Sequence, residues 1–464
     1  MKRWITLWLV VLLCLTACGA APAQPMAENT DVMPEEAQAE NEAPKAPEET
    51  STPDERTVLR LGGLDAQDGL DGIGAFVSAF NQQSSQYRVE LVDYREISDS
   101  WEQGEMKLNT ELMASSGPDM LFFNAMNVMF RDGSRCLSPL PYIGRGILMD
   151  MTPLLEADPE TDAEDILIWD ALMEYGGLYL MTSQFYVDTV MCSQATYETY
   201  APWTIETYLQ LEASLEEGQM MMYTMSPSMY LAEVCGRYIR SAIDLTEASC
   251  DFDNPEFISL LRAATKIKSY DSTITDGENL RAGDGSFKHA SLRVAQGELI
   301  GVWETPWSAS DIAFDRVTGE EAEPAYIGWP TADRSSGSDV VPLTAVGICS
   351  NTEQTQGCWE FVSFLLKHPN LSGPHYSTPA YRPRLKASLK AQQTFNSKLN
   401  PQESDLEIMI QLSESCQNLA YYDEAILSII LEEANAMFEG NATAEEVARR
   451  VQDRASLYMM EQYG

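Results

Sequence analysis

Phe123 and Asn124 close the apolar run Met120–Phe123, placing an aromatic face beside an amide at the end of a short hydrophobic segment. Such a pairing suits a sugar ring, which offers C–H groups for stacking and an edge of hydroxyls for amides, carboxylates and guanidinium groups. The loop Gly62–Gly69 adds Asp65, Gln67 and Asp68, which either grip hydroxyls or are ordinary solvated acids. Glu304 taken with Asp65 and Asp68 is also a candidate for a glycosidase's two carboxylates, which stand about 5–10 Å apart. Other chemistries find less support. The three histidines (His289, His368, His375) are widely spaced, and C-x-x-C, H-E-x-x-H, nucleophile-elbow and P-loop motifs are absent. No metal, cofactor or cysteine–histidine catalysis is expected from such a set.

These residues need elements to hold them. Leu108 and Leu112 sit one helical turn apart, so the stretch before Gly117 reads as a helix with an apolar stripe. Gly117 and Pro118 are expected to stop it, because glycine tolerates a left-handed cap and proline cannot continue the ladder. Met120–Phe123 then reads as a buried strand of the parallel-sheet kind, and in open α/β sheets ligands collect just beyond the carboxyl ends of such strands. Upstream, Thr57–Leu61 reads as a strand, Gly72–Asn81 as a helix with a stripe of Ile73, Phe76, Val77 and Phe80, and Tyr87–Leu91 as a second alternating strand. The pattern is α/β with a parallel sheet. The first loop's glycines do not fit the dinucleotide fingerprint.

Farther along, Thr204 is a candidate N-cap with Trp203 packed behind it, and Met220–Met222 reads as core filler. Ile426, Ile429, Ile430 and Met437 recur at core spacing, and Thr443 with Glu446 forms a capping box ahead of Val447 and Val451.

The chain has 464 residues, 71 acidic and 30 basic, for a formal charge of -41. Nucleic acid and anionic membrane surfaces are therefore poor partners, since phosphate neutralisation needs clustered Lys and Arg. The length allows two or three domains with sizeable cores. Met1-Lys-Arg followed by apolar Trp4–Leu13 has the form of a signal segment. Leu15-Thr-Ala-Cys18 before Gly19 resembles a bacterial lipobox, which implies removal of residues 1–17 and lipidation of Cys18. Residues 18–56 are rich in Ala, Pro and Glu with a lone Lys45, and read as a solvated acidic linker. Beyond Cys14 and Cys18, seven cysteines remain (Cys136, Cys192, Cys235, Cys250, Cys349, Cys358, Cys416); an odd number argues against a complete disulfide framework, although Cys235–Cys250 or Cys349–Cys358 could pair.

An ordered series of segments carries a further signal: F-V-S-A-F-N-Q-Q (76–83), Y-R-V-E-L-V-D-Y (87–94), L-N-T-E-L-M-A-S-S-G-P-D (108–119), G-I-L-M-D-M-T-P (146–153), P-W-T-I-E-T-Y (202–208), G-E-L-I-G-V-W-E-T-P-W (297–307), Y-I-G-W-P-T (326–331), W-E-F-V-S-F-L-L (359–366) and A-E-E-V-A-R-R-V-Q-D-R (444–454). Together they resemble family 1 extracellular solute-binding proteins, the substrate-capturing components of ABC importers. The resemblance implies a two-lobe α/β fold with a hinge and an interlobe cleft, lobe 1 from 57–183 and 312–368, lobe 2 from 184–311 and 369–464. Gly176-Gly177-Leu-Tyr-Leu180 is similar to the family's approach to a crossover.

The same resemblance places Phe123 where a family member has a stacking tryptophan, and Trp307, with Glu304 and Trp303 beside it, on the opposing lobe. Trp329 is either a cleft wall or core. Arg382 either grips an acidic sugar or makes a surface ion pair, and Asp119 more naturally satisfies backbone N–H groups than ligand. The expectation is a monomeric lipoprotein, anchored by lipid alone, that captures an oligosaccharide for ABC permease subunits without turnover. The alternatives are a lipid-anchored glycosidase or lyase, and a ligand-sensing partner of a membrane receptor.

Overall fold

The computed structural model describes residues 55–64, 72–124, 137–222, 226–267, 289–332, 335–369 and 377–463. The chain divides into two units, 1–54 and 55–464. The first unit, with Cys18, the signal segment and nearly all of the linker, lies outside the described residues.

Twelve strands are described: β1 (Thr57–Gly63), β2 (Tyr87–Asp93), β3 (Met120–Phe123), β4 (Met181–Thr182), β5 (Gln184–Ser193), β6 (Ile243–Asp244), β7 (Ser249–Cys250), β8 (Gly301–Glu304), β9 (Pro324–Tyr326), β10 (Asp339–Pro342), β11 (Ala345–Ile348) and β12 (Thr378–Pro379). The first sheet runs β2-β1-β3-β11-β4. β1 is parallel to β2 and β3, whereas β11 is antiparallel to β3 and β4. Helix Ile73–Gln83 lays Ile73, Phe76, Val77 and Phe80 inward, the stripe read from the sequence.

Helix Trp101–Met113 starts on Ser100, whose side chain accepts from Gln103 N–H, and buries Gly104, Leu108 and Leu112. It stops earlier than the Gly117–Pro118 signal suggested. Ser115 takes the left-handed conformation (φ 54), and Ser116 N–H closes back on Glu111 O at 3.0 Å, so the cap motif forms without glycine. Asp119 accepts Arg60 N–H at 2.8 Å and the Thr352 hydroxyl at 2.6 Å, the backbone-satisfying role.

The second sheet is built on β5. Its first half pairs with β10 and β12, and its second half with β8 and β9. Phe185, Tyr186 and Val187 belong to the core of the first sheet, whereas Val190 and Cys192 belong to a second core. One ten-residue strand is thus shared by both hydrophobic centres. β9 and β10 pair with β5, and β11 joins the first sheet from Ala345, while Ile312, Val340 and Val341 pack into the first core. Leu385, Met409, Leu412 and Leu419–Tyr421, from the C-terminal stretch, also pack into the first core.

The second core is mostly helical. Ile426, Ile430, Ala434, Val447, Val451 and Met459 line the seam between helices Glu424–Phe438 and Ala444–Tyr463. Thr443 and Glu446 form the reciprocal capping box at 3.2 and 2.9 Å. Trp203 is buried and donates to Gly328 O at 2.9 Å, Thr204 caps its helix through Thr207 N–H, and Met221 and Met222 are core.

Six described cysteines (Cys192, Cys235, Cys250, Cys349, Cys358, Cys416) are free, so neither of the two pairings left open by the sequence forms. Burial raises the thiols of Cys192 and Cys349 to about 12. No helix among the described residues is long and apolar enough to cross a membrane.

Candidate ligand cleft

Between the two cores lies a cavity of about 680 Å³, within the range of pockets that enclose small molecules. One wall comes from helix Leu140–Gly144 and the segment Glu174–Tyr179, beside the first sheet. The opposite wall is helix Pro227–Ala242 and the chain that follows it, and the segment Gln417–Asp423 closes the back.

Helix Pro227–Ala242 begins with Ser226 accepting Met229 N–H and Pro227 in the first turn, where a missing N–H costs nothing. Glu233, Arg237 and Arg240 follow at i, i+4 and i+7, one face of the helix turned towards β5 and β10. Arg237 donates to Asp188 at 3.0 Å, to Glu233 at 3.3 Å and to Gly337 O at 3.0 Å, and stands 3.1 Å from Asp339. Arg240 reaches Asp339 at 2.9 Å and Leu419 O at 2.5 Å. The Tyr422 hydroxyl donates to Asp339 at 2.5 Å, with its ring 4.7 Å beneath the Arg240 guanidinium.

Glu174 stands across the cavity, accepting Leu419 N–H at 2.6 Å and approaching Arg240 Nε at 3.3 Å. Since Glu174 precedes the crossover into β4 and Arg240 lies in the second core's helix, this contact ties one wall to the other. Burial pushes the Glu174 carboxyl up to about 7, against the pull of Arg240. Burial opposes the charge on Arg237 and Arg240 as well, but Asp339 and the neighbouring acids prevail and hold both protonated.

Two glycines seat this network. Gly328 has φ +77, and a Cβ on Gly337 would fall 1.8 Å from Trp329 O, so only glycine permits the two segments to touch. Their contact holds Trp329 buried, with Arg237 5.6 Å over its ring.

The aromatic pair expected to face each other across the cleft does not do so. Phe123 is fully buried in the central strand of the first sheet, its ring 5.9 Å from that of Tyr142. Asn124 follows it, half-buried. Trp307 stacks on Tyr186 and packs against that same core, fixed through its N–H to Asp311 and its carbonyl to the Thr378 hydroxyl. Neither ring lines the cavity. Both extend an existing apolar core, which offers them more contact than an open wall would.

Trp303 is 37% exposed and donates to Asp188 at 2.7 Å, so it joins the charge network from outside the cavity. Trp329 is core, supporting Arg237. Arg382 pairs with Glu414 at 2.8 Å. Asp65 and Asp68 lie outside the described residues.

Glu304 sits in a separate acidic group with Asp311 and Asp315. Burial first, then those neighbouring acids, pushes its carboxyl well above the ordinary range. Asp315 is held by the Tyr326 hydroxyl at 2.8 Å and the Ser291 hydroxyl at 3.0 Å, and Asp311 caps its helix in a box with Ser308. No group of histidine, cysteine and acidic residues among the described residues could hold a metal ion.

The residues that build the cavity, Glu174, Arg237, Arg240, Tyr421 and Tyr422, escaped the sequence reading. The available signal was three charges at i, i+4 and i+7 inside an otherwise apolar helix, Tyr230-Leu-Ala-Glu-Val-Cys-Gly-Arg-Tyr-Ile-Arg240.

No protein-family model and no curated protein matches the chain. Solved structures do. An oligogalacturonide-binding protein from Yersinia enterocolitica superposes with a TM-score of 0.53 at 14% identity, covering 88% of this chain and 100% of that one. The chain has the two-lobe fold of the periplasmic binding proteins. The sugar-binding protein MalE of Xanthomonas citri gives 0.50 at 12% identity, with 87% and 98% covered. A de novo designed cysteine esterase gives 0.53 at 13% identity, with 88% and 99% covered. At these identities the likeness concerns the fold alone, and the designed esterase is a reminder that function resides in the site.

Proposed function

We propose that this chain captures an extracellular carbohydrate for an ABC importer, binding it between the lobes without turnover. The observation that carries the reading is the cavity between two cores joined by β5, walled by tyrosines, hydroxyls and amides. Tyr175, Tyr179, Tyr238, Tyr421 and Tyr422 supply rings, and Ser241, Thr331, Gln417 and Asn418 supply hydrogen-bonding groups. A ligand touching both walls favours the closed arrangement by its differential contacts, which is the signal a permease reads. In this reading acylated Cys18 and the linker 18–56 hold a monomeric body at the outer face of the bacterial cell membrane. The sugar and oligogalacturonide named for the two natural fold neighbours agree with it.

Thermal melts against oligosaccharides, peptides and polyamines test the reading. A bound sugar at a hundredfold its Kd adds about 2.7 kcal/mol of stability, and chromatography after incubation recovers it intact. Stabilisation by peptides alone overturns the carbohydrate assignment. Hydrolysis of the sugar, abolished in Glu304→Gln, overturns the absence of turnover.

A further inference from the structure

The charges around the cavity are unequal in a way that bears on the ligand. Among the described lining residues the only cations are Arg237 and Arg240, and both are engaged. Arg237 spends its guanidinium N–H groups on Gly337 O, Glu233 O, the Glu233 carboxylate and Asp188, with Asp339 beside the last. Five donors are all that an arginine has, so none is left for an incoming carboxylate, sulfate or phosphate. Arg240 is held by Asp339, Leu419 O and the Tyr422 ring, with Glu174 alongside.

Four carboxylates (Asp188, Glu233, Asp339, Glu174) thus surround two guanidiniums, and every one of these side chains is no more than 14% exposed. The cluster carries an excess of negative charge in a poorly screened place. Further lining acids have the same sign: Asp423 inside, Asp244 and Glu256 exposed at the mouth. Tyrosine faces add a weaker attraction for cations.

Resting on the carbohydrate reading above, we propose that the cleft selects a cationic sugar, an oligosaccharide carrying free ammonium groups, over its neutral and anionic counterparts. The ammonium groups lie towards the Glu174 side and the mouth acids, and the sugar rings lie on the tyrosines. Anionic sugars are disfavoured because both described lining guanidiniums already face buried carboxylates, so a further anion meets the cluster's excess of acids.

Calorimetry on the full chain decides it, using glucosamine oligomers, their N-acetylated forms, neutral gluco-oligosaccharides of equal length, oligogalacturonides and spermidine. The expected result is glucosamine oligomers bound about tenfold or more tighter than the acetylated forms, a difference of about 1.4 kcal/mol, with the advantage shrinking as salt rises. Asp244→Asn with Glu256→Gln, two exposed positions, is expected to erode the advantage several-fold without lowering the melting temperature. Acetylated or neutral sugars binding as tightly overturn charge selection and leave carbohydrate capture standing; tight oligogalacturonide binding does the same. Spermidine binding with no sugar binding overturns both readings.

Discussion

Tyr186 lies flat against Trp307, ring centroids 4.4 Å apart and planes inclined by 16°. The first ring belongs to the strand shared by both cores and the second to the chain leaving β8, so the stack fastens β5 to a segment more than a hundred residues away. Trp307→Ala is therefore expected to cost roughly 2–4 kcal/mol of stability, part lost burial and part lost stacking. Urea unfolding measures it. Ligand affinity of the folded variant should stay nearly unchanged; a large loss of affinity at full stability would put Trp307 back in the cleft.

Phe123→Ala should behave likewise, and more severely for its complete burial, with a loss of about 3–5 kcal/mol. The readout is the denaturation midpoint, with calorimetry on the surviving fraction to verify that binding is retained.

Arg237→Met removes the cation that Asp188, Glu233 and Asp339 share. Breaking a buried pair from one side leaves charge uncompensated, and a loss of about 3–5 kcal/mol is expected. Chemical denaturation near neutral pH should show it, and the loss should diminish in acid as the stranded carboxylates take up protons.

Stability should fall as pH rises from mildly acidic values. Glu174 and Glu304 are raised from 4.5 to about 7 and about 9, and Asp315 from 3.8 to about 6, burial being the first cause in each. The native state therefore keeps protons that the unfolded chain has released. That contribution is complete below the unfolded values and is lost progressively up to the folded ones. Melting temperatures should decline from about pH 5 to about pH 9, and Glu304→Gln should flatten the alkaline part of the decline. An unchanged slope in that variant would remove Glu304 from the account.

Most of the fold was legible because it is written in short-range periodicity. The stripe Ile73, Phe76, Val77 and Phe80 and the run Met120–Phe123 each declare their own element within a few residues. Where several residues compete for one role the reading slipped, as when Ser115 took the cap assigned to Gly117. The cleft was illegible for a different reason. Glu174, Arg237, Asp339 and Tyr422 are scattered over nearly 250 positions and meet only because β5 and β10 pair and the segment after Cys416 folds back. Phe123 misled because its ring, at the end of mid-sheet β3, turns into the apolar core against Tyr142 instead of out beyond the strand.

The unpaired thiols among the described residues have a practical corollary. With Cys192, Cys235, Cys349, Cys358 and Cys416 buried and burial raising their affinity for the proton, these five sulfurs offer alkylating reagents very little to attack in the native state. Quenched alkylation read by mass therefore becomes a clock for chain opening, each interior sulfur timing the exposure of its own neighbourhood without any engineered label.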